Sequence, residues 1–198
     1  TSFGAPAQAS PPKPSLNPGD VFGPYRIETM IGRGGMSILY RALDSRLGRR
    51  VALKVMSPET AANELFRRRF LAEARVAAEV DHPNIVPIYE AGDLDGVLYI
   101  SMRLVVGHDM RGLLRPGQSL NSALTLEYLT HLATALDALH RRGLVHRDVK
   151  PENVLLAVDE LSGSTHVYLA DFGLSKEDRK STRLNSSHSS VSRMPSSA

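Results

Sequence analysis

One short string in the second half of the chain carries the residue types that a group-transfer reaction needs. Residues 146–153 read His-Arg-Asp-Val-Lys-Pro-Glu-Asn, and an apolar run follows them. The carboxylate of Asp148 can accept the proton of an attacking hydroxyl group, and the ammonium group of Lys150 can neutralise a phosphate. Asn153 offers an amide oxygen, which is a suitable ligand for a hard cation such as Mg²⁺. This spacing predicts phosphoryl-transfer chemistry, with Asp148, Lys150 and Asn153 as the catalytic residues.

A second metal ligand is predicted eighteen residues after Asn153, where residues 171–173 read Asp-Phe-Gly. The carboxylate of Asp171 is a hard oxygen ligand that suits a magnesium ion bridging the β- and γ-phosphates of a nucleotide. Gly173 permits the backbone turn that must follow. Asn153 and Asp171 together form the predicted metal site, for Mg²⁺ or Mn²⁺.

A glycine-rich segment could hold the phosphates. Residues 31–39 read Ile-Gly-Arg-Gly-Gly-Met-Ser-Ile-Leu and lie between two predicted strands. Glycines let backbone N–H groups approach phosphate oxygens because no side chain intervenes. The common pattern has a third glycine where this chain has Ser37. Taken alone, the segment is equally compatible with an ordinary tight β-turn.

Two charged residues are predicted to complete the phosphate site. Lys54 ends the apolar sequence Val-Ala-Leu-Lys on a predicted strand, where burial is costly without a partner. A lysine that reaches the surface is the alternative, but its place after the glycines favours a phosphate ligand. Glu73 lies centrally on the following predicted helix, which also carries Glu64 and Glu79. We expect Glu73 to pair with Lys54 and hold it against the α- and β-phosphates.

These residues need a scaffold, and the hydrophobic pattern predicts one. Alternating apolar residues predict strands at 25–30, 37–43, 50–56, 85–90 and 97–102, and a hairpin of strands at 154–158 and 166–169. Apolar residues at helical spacing predict one helix over 59–80, through Leu65, Phe66, Phe70, Ala74, Ala77 and Val80. A second helix is predicted over 122–142, with one apolar side formed by Leu126, Leu129, Leu132, Leu136 and Leu139. Strands first and helices later predict an α+β fold with two lobes.

Composition excludes several classes of function. The chain has 198 residues, 42% of them hydrophobic, and no cysteine, which excludes disulfides, a thiol nucleophile and cysteine-based zinc sites. The sequence contains no run of about 18 apolar residues, so no membrane span is predicted. The formal net charge is +3, and residues 178–198 alone contribute +3, from four basic residues and one acidic residue. The remaining chain is neutral, so we expect no nucleic-acid partner.

Both ends of the chain differ from its middle. Residues 1–20 are rich in Pro, Ser and Ala and are predicted to be a disordered leader without the pattern of a signal peptide. Residues 178–198 are predicted to be a disordered, non-native tail. Residues 178–188 read as the in-frame translation of a common short-read sequencing adapter, and residues 192–198 match the far side of the same adapter.

The motifs of residues 25–176 resemble the bacterial eukaryotic-like, or Hanks-type, serine/threonine protein kinases, in the family's order and spacing. The resemblance implies a kinase two-lobe fold that is truncated at its C-terminal end. Residues 21–105 would form a complete five-stranded N-lobe with helix C and the hinge. Residues 106–177 would form part of the C-lobe, namely helices D and E, the catalytic loop and the Asp-Phe-Gly motif. Ser37 is a mild departure, since many bacterial members have the same Gly-Gly-Met-Ser hairpin.

The resemblance also implies a nucleotide site. Met102 would be the gatekeeper beside the purine, and Arg103, Leu104 and Val105 would form the hinge that reads adenine. The implied nucleotide-binding residues are Ile31, Gly32, Arg33, Gly34, Gly35, Met36, Ser37, Leu39, Ala52, Lys54, Glu73, Met102, Arg103, Val105 and Leu155.

The implied activity is transfer of the γ-phosphoryl group of ATP to serine or threonine hydroxyls of proteins. The sequence Lys-Pro-Glu-Asn at 150–153 resembles serine/threonine rather than tyrosine kinases, and Arg147 resembles kinases controlled by activation-loop phosphorylation. A pseudokinase or nucleotide-binding scaffold is the alternative, although pseudokinases typically lose at least one of Lys54, Asp148, Asn153 and Asp171. A small-molecule kinase is disfavoured by Lys150 and Gly173.

Further expectations concern the protein's setting. We expect a cytoplasmic kinase domain, with a membrane anchor encoded downstream and a kinase–kinase dimer as possibilities for the parent protein. Because the substrate-binding platform is missing from the sequence, the 198-residue polypeptide is expected to be marginally stable and inactive, with the apolar side of the 122–142 helix partly exposed.

Overall fold

A six-stranded antiparallel sheet forms the first half of the protein. The structure is a computed structural model and describes residues 15–114, 119–158 and 163–171. The sheet has the order β1-β2-β3-β4-β6-β5. Its strands are β1 (Val21–Phe22), β2 (Tyr25–Arg33), β3 (Ser37–Asp44), β4 (Arg49–Met56), β5 (Ile88–Leu94) and β6 (Val97–Arg103). All five predicted strands of this sheet are present, and the two-residue β1 was not predicted.

The two faces of this sheet bury different side chains, because successive residues of a strand point to opposite sides. One face carries its own apolar cluster, which includes Leu53 and Val55 of β4. The other face contributes Ala52 and Met56 to a larger cluster that continues into the helices. Lys54 alternates with Leu53 and Val55, so its side chain lies on this second face.

The predicted helix over 59–80 is wrong in one respect, because the structure has two helices there. They are α1 (Pro58–Ala61) and α2 (Glu64–Ala78). The side chain of Asn63 accepts a hydrogen bond from the backbone N–H of Phe66 at 3.0 Å. This N-cap starts a new helix instead of continuing the first one. The described α2 buries Phe66, Phe70, Ala74 and Ala77, whereas the predicted core residue Leu65 is exposed.

A three-stranded sheet and a long helix follow. The sheet has the order β7-β8-β9, formed by β7 (His108–Asp109), β8 (Val154–Val158) and β9 (Thr165–Leu169). The helix is α3 (Ser122–Arg141), and short 3₁₀ helices cover Met110–Leu113 and Pro151–Asn153. The predicted β8–β9 hairpin is confirmed. Part of its predicted turn, Ser162, lies outside the described residues.

The chain crosses between the two sheets just before β5. The prediction started this strand at Ile85, but the structure starts it at Ile88. Ile85 instead forms an isolated parallel bridge with Leu169 of β9. The backbone N–H of Val86 donates to the Leu169 carbonyl at 3.0 Å, which attaches the crossing to the second sheet.

The buried side of α3 differs from the predicted stripe. Leu132 and Leu139 are buried, and they share that side with Tyr128, Ala135 and Ala138. Leu126 and Leu129 are 68% and 56% exposed. The small residues Ala135 and Ala138 let the helix backbone approach its neighbours closely. The prediction considered only the leucines and therefore missed this buried side. The expected partial exposure of apolar residues on α3 is therefore observed. None of the helices in the described part of the chain is long and apolar enough to cross a bilayer.

Gly107 leads to a prediction of stability. A Cβ atom at this position would lie 2.0 Å from the Leu156 carbonyl oxygen. Gly107→Ala should therefore lower the free energy of unfolding by about 1–3 kcal/mol, because the backbone at residue 107 must move away from the backbone at Leu156. Urea unfolding would measure the change. Gly35→Ala is the matched control, since a Cβ there meets no atom within 4 Å. Equal losses in both variants would contradict the argument.

Candidate active site

A buried ion pair joins the two sheets. Lys54 on β4 is 7% exposed, and its Nζ atom lies 2.8 Å from Oδ1 of Asp171, just after β9. A buried ammonium group requires such a partner, because burying it unpaired is costly. The Asp171 side chain is 39% exposed, so the pair opens to solvent on the side of the carboxylate. The prediction that these two residues meet at one site is consistent with this contact.

The predicted ion pair between Lys54 and Glu73 is not present. Among the described residues, Lys54 pairs with Asp171, and Glu73 lies 4.0 Å from Nη1 of Arg147. The position of α2 depends on the apolar residues that it buries, and ion pairs flank both of its ends. Near its start, Arg67 pairs with Asp93 of β5. Just after its end, Glu79 lies 3.3 Å from Nη1 of Arg142, which follows α3.

The three predicted catalytic residues lie together. The Asn153 amide donates to the backbone carbonyl of Asp148 at 2.8 Å and to its Oδ2 atom at 3.2 Å. The Nζ atom of Lys150 lies 2.9 Å from the same Oδ2 atom. This hydrogen bond raises the pKa of Lys150, because the Asp148 carboxylate stabilises the charged ammonium group. The cluster presents one carboxylate with one cation and one amide held against it.

The predicted metal ligands are adjacent through the backbone. The N–H of Ala170 donates to the carbonyl of Asn153 at 2.8 Å, which places Asn153 beside the residue that precedes Asp171. Because the Asn153 amide nitrogen is engaged with Asp148, its side-chain oxygen is left as an acceptor. An amide oxygen and a carboxylate suit Mg²⁺, which usually takes one or two protein ligands together with phosphate and water oxygens. In the described ranges no cluster of three His, Asp or Glu side chains provides a site made of protein alone.

His146 has a supporting role that the sequence reading missed. The ring is 1% exposed, its Nε2 lies 2.9 Å from the Ala170 carbonyl, and its Nδ1 accepts the backbone N–H of Asp148 at 3.3 Å. These partners assign the neutral form protonated at Nε2. Burial lowers the pKa of His146 below its usual value. Its position two residues before Asp148 could have suggested this role, but the burial of the ring could not be predicted from the sequence.

This histidine predicts a pH dependence of stability. The folded pKa of His146 lies below the unfolded one, so the unfolded chain binds the proton more tightly. The stabilising contribution is complete above the unfolded pKa of about 6.5 and is lost as the pH falls below it, by at most about 1.4 kcal/mol per pH unit. Urea unfolding at pH 7.5 and pH 5.5 would measure this. His146→Gln should show a smaller difference between the two pH values, and an unchanged difference would contradict the assignment.

Two non-glycine residues of the site have left-handed backbone angles. Arg147 has φ 59° and Asp171 has φ 57°. Such conformations cost free energy for residues with a Cβ atom and are held only where the surroundings impose them. Both residues adjoin the hydrogen bonds of His146 and Ala170, so the strain lies beside the cluster of Asp148, Lys150 and Asn153.

The residues predicted to surround the purine share one apolar cluster. Ala52 and Met102 are paired neighbours on β4 and β6, and Leu39, Val105 and Leu155 pack against the same cluster. Other predicted contacts are less enclosed. Ile31 is 46% exposed, and the guanidinium group of Arg103 lies 5.5 Å from the centre of the Tyr168 ring. Phe172 and Gly173 lie outside the described residues.

The glycine-rich segment forms the tip of the β2–β3 hairpin. The N–H of Gly34 donates to the Ser37 carbonyl at 2.8 Å and closes the turn. Leu39 on β3 pairs with Lys54 on β4, so the hairpin leads directly to the lysine. The tip and the buried ion pair thus belong to adjacent strands.

Comparison with known proteins identifies the family of this chain. A family model described as the protein kinase domain matches residues 25–195. The chain belongs to the protein kinase domain family. Its kinase relatives include serine/threonine-protein kinase PknE of Mycobacterium tuberculosis, 42% identical over 84% of this chain and 29% of that protein. Serine/threonine-protein kinase PknD of the same organism is 40% identical over 80% of this chain and 23% of that protein.

Solved kinase structures match the fold as well. The crystal structure of the Mycobacterium tuberculosis PknI kinase domain has a TM-score of 0.73 and 39% identity, and it covers 82% of this chain and 64% of that one. The predicted kinase fold is therefore confirmed. The chain spans less than a third of the length of the curated kinases described above.

Proposed function

We propose that the protein carrying this kinase sequence transfers the γ-phosphoryl group of ATP to serine or threonine hydroxyls of other proteins. One observation carries the proposal. The Lys54–Asp171 pair and the cluster of Asp148, Lys150 and Asn153 are linked through the hydrogen bond from Ala170 to Asn153. A cation, a carboxylate base and two oxygen ligands thereby converge where a triphosphate would lie.

Each residue has a chemical task in this proposal. Lys54 binds the α- and β-phosphates, and Asp148 orients the acceptor hydroxyl and takes its proton. Lys150 neutralises charge on the transferred group, and its contact with Asp148 holds the ammonium group beside the base. Asn153 and Asp171 would hold Mg²⁺ or Mn²⁺, which supplies further charge neutralisation at the phosphates. Catalysis would then depend on positioning and electrostatics.

We extend the proposal to the setting of this activity. The class is a non-specific serine/threonine protein kinase with ATP and protein substrates as partners, without nucleic acid. Residues 21–105 are assigned to the N-lobe and hinge and residues 106–177 to part of the C-lobe, between a leader and a non-native tail. A cytoplasmic location, a membrane anchor in the parent protein and a kinase–kinase dimer remain part of the proposal.

A pseudokinase or nucleotide-binding scaffold is the second candidate, and one observation favours it. Glu73 is placed beside Arg147 and not beside Lys54, so the expected clamp on the lysine is not formed in this conformation. The sequence nevertheless contains all four residues that pseudokinases typically lose in part, namely Lys54, Asp148, Asn153 and Asp171. Their presence favours an active kinase.

Binding and transfer measurements test the proposal. Titration calorimetry should show that the chain binds ATP with Mg²⁺, and that Lys54→Met weakens this binding at least about ten-fold, a change of about 1.4 kcal/mol. Met keeps the apolar length of the side chain and removes the charge. Arg68→Met removes a cation whose side chain is 78% exposed on α2 and is the control, with an expected change below about three-fold.

Transfer is then measured in a longer protein that carries this chain, using radiolabelled ATP and serine/threonine peptides. Absence of ATP binding would reject both candidates. Binding without transfer, in a folded protein with Mg²⁺ or Mn²⁺ present, would favour the scaffold.

A further inference from the structure

The glycine-rich hairpin touches the protein at a second place, away from Lys54. The backbone N–H of Ser57 donates to the carbonyl of Met36 at 2.8 Å. Met36 lies at the hairpin tip, and Ser57 is the N-cap of α1, where its hydroxyl oxygen accepts the N–H of Thr60 at 3.3 Å. The tip is therefore attached to the start of α1 by the backbone.

The side chain of Met36 extends this attachment towards α2. It is partly buried against the larger apolar cluster, to which Phe66 and Phe70 of α2 belong. It also lines a cavity of about 170 Å³ together with Thr60, Asn63 and Phe66. Thr60 belongs to α1 and Asn63 is the cap that starts α2, so Met36 faces both helices across this cavity.

On one side of Met36 the chain enters β3, where Ser37 pairs with Met56 of β4, whereas on the other side the glycines carry no side chain that could anchor the tip. Gly34 and Gly35 have no side chain, and a Cβ atom at Gly35 would meet no atom within 4 Å. A glycine-rich hairpin has high conformational entropy unless something fixes it. A flexible apolar side chain that fills an irregular gap can provide that fixation, and methionine suits such gaps.

We infer that Met36 is a positioning residue that fastens the glycine-rich hairpin to α1 and α2. The binding of nucleotide phosphates under the hairpin is thereby coupled to the seating of α2, the helix that carries Glu73. Coupling of this kind is reciprocal, so phosphate binding also stabilises the seated position of α2. The inference deepens the proposed function and rests on it for its nucleotide ligand, whereas the attachment itself does not depend on nucleotide.

Proline at position 57 isolates the hydrogen bond. Ser57 has φ −67° and ψ 148°, and its predecessor Met56 is in strand β4, so a proline fits the backbone on both counts. Ser57→Pro removes the hydroxyl and the N–H, whereas Ser57→Ala removes only the hydroxyl. The difference between the two variants therefore reports the hydrogen bond to Met36.

Two measurements on the 198-residue chain follow. Hydrogen exchange without nucleotide should show faster exchange of the amides of residues 34–37 in Ser57→Pro than in Ser57→Ala, by about five-fold or more. Titration with Mg²⁺-ATP should show about five-fold weaker binding for Ser57→Pro, equivalent to about 1 kcal/mol. Adenosine should bind both variants equally, because it has no phosphates under the hairpin.

Substitution of Met36 provides an independent test. Met36→Ala should weaken ATP binding without changing adenosine binding, and Met36→Leu should restore it because it refills the same apolar space. General damage to the fold would weaken both ligands and would not be restored by leucine.

The outcomes separate the two claims. If the wild-type chain does not bind ATP, the proposed function fails, and the attachment is judged by the exchange measurement alone. If ATP binds but both proline and alanine variants behave alike in exchange and affinity, the inference about Met36 is overturned. Equal weakening of ATP and adenosine binding in Met36→Ala would overturn the coupling to phosphate.

Discussion

Asp148→Asn, placed in a longer kinase protein that carries this chain, is expected to reduce phosphoryl transfer by about 10²–10⁴-fold, the range typical of a lost general base. Asparagine has nearly the same shape as aspartate. It keeps a side-chain oxygen that can accept the hydrogen bond which the Asn153 amide donates to Oδ2 of Asp148 at 3.2 Å in the wild type. It cannot accept the proton of the acceptor hydroxyl. ATP affinity should stay within about three-fold, because the substitution leaves Lys54 and Asp171, the proposed nucleotide and metal contacts, in place.

The measurement is a peptide-phosphorylation assay combined with calorimetric titration of ATP. Asp109→Asn is the matched control, since Asp109 caps a 3₁₀ helix by accepting the N–H of Gly112 at 3.1 Å. Asparagine caps helices as well as aspartate does, so this variant should keep full activity. Normal turnover by Asp148→Asn would show that another group takes the proton.

Asp171→Asn is expected to abolish the magnesium dependence of ATP binding and to destabilise the fold. The substitution removes a carboxylate ligand and leaves the Lys54 ammonium, whose side chain is 8% exposed, without its ion-pair partner. We expect binding of Mg²⁺-ATP to weaken at least about 100-fold, which corresponds to about 2.7 kcal/mol. The free energy of unfolding should fall by about 1–3 kcal/mol, less than for a fully buried pair because Asp171 is partly exposed.

A double variant separates the two effects. If unpaired Lys54 causes the loss of stability, Lys54→Met combined with Asp171→Asn should be more stable than Asp171→Asn alone. Asp95→Asn is a suitable control for charge, because Asp95 lies in a turn with φ 51°, where asparagine is tolerated. Binding by Asp171→Asn that still required magnesium would remove Asp171 from the proposed metal site.

The strands were predictable because alternation of apolar residues is a local property. Two strands were missed, Val21–Phe22 and His108–Asp109, because two residues cannot show an alternation. The break between α1 and α2 was missed for a different reason. Asn63 fits either a helix interior or a cap, and only its hydrogen bond to Phe66 distinguishes them.

The sequence predicted that Asp148, Lys150 and Asn153 lie close together, and they do, but it did not predict the partner of Glu73. Local pattern selected Glu73 among three glutamates because of its apolar neighbours, yet its partner depends on where the whole helix sits. That position depends on the burial of Phe66 and Phe70 in a core built from distant parts of the sequence. The spacing of residues along the helix therefore cannot predict where the whole helix lies relative to the sheet.

The hairpin of β8 and β9 has a consequence for chain length. Its register pairs Val154 with Leu169 and Val158 with Thr165, and together with the hydrogen bond from Ala170 to Asn153 it sets how far Asn153 lies from Asp171. Residues inserted beyond the paired ends would lengthen the connection without shifting either oxygen ligand, and each doubling of a loop costs only about 0.6 kcal/mol. The eighteen-residue interval is therefore incidental, and the connection between Val158 and Thr165 is a place where a reporter peptide or a natural insertion can be accommodated.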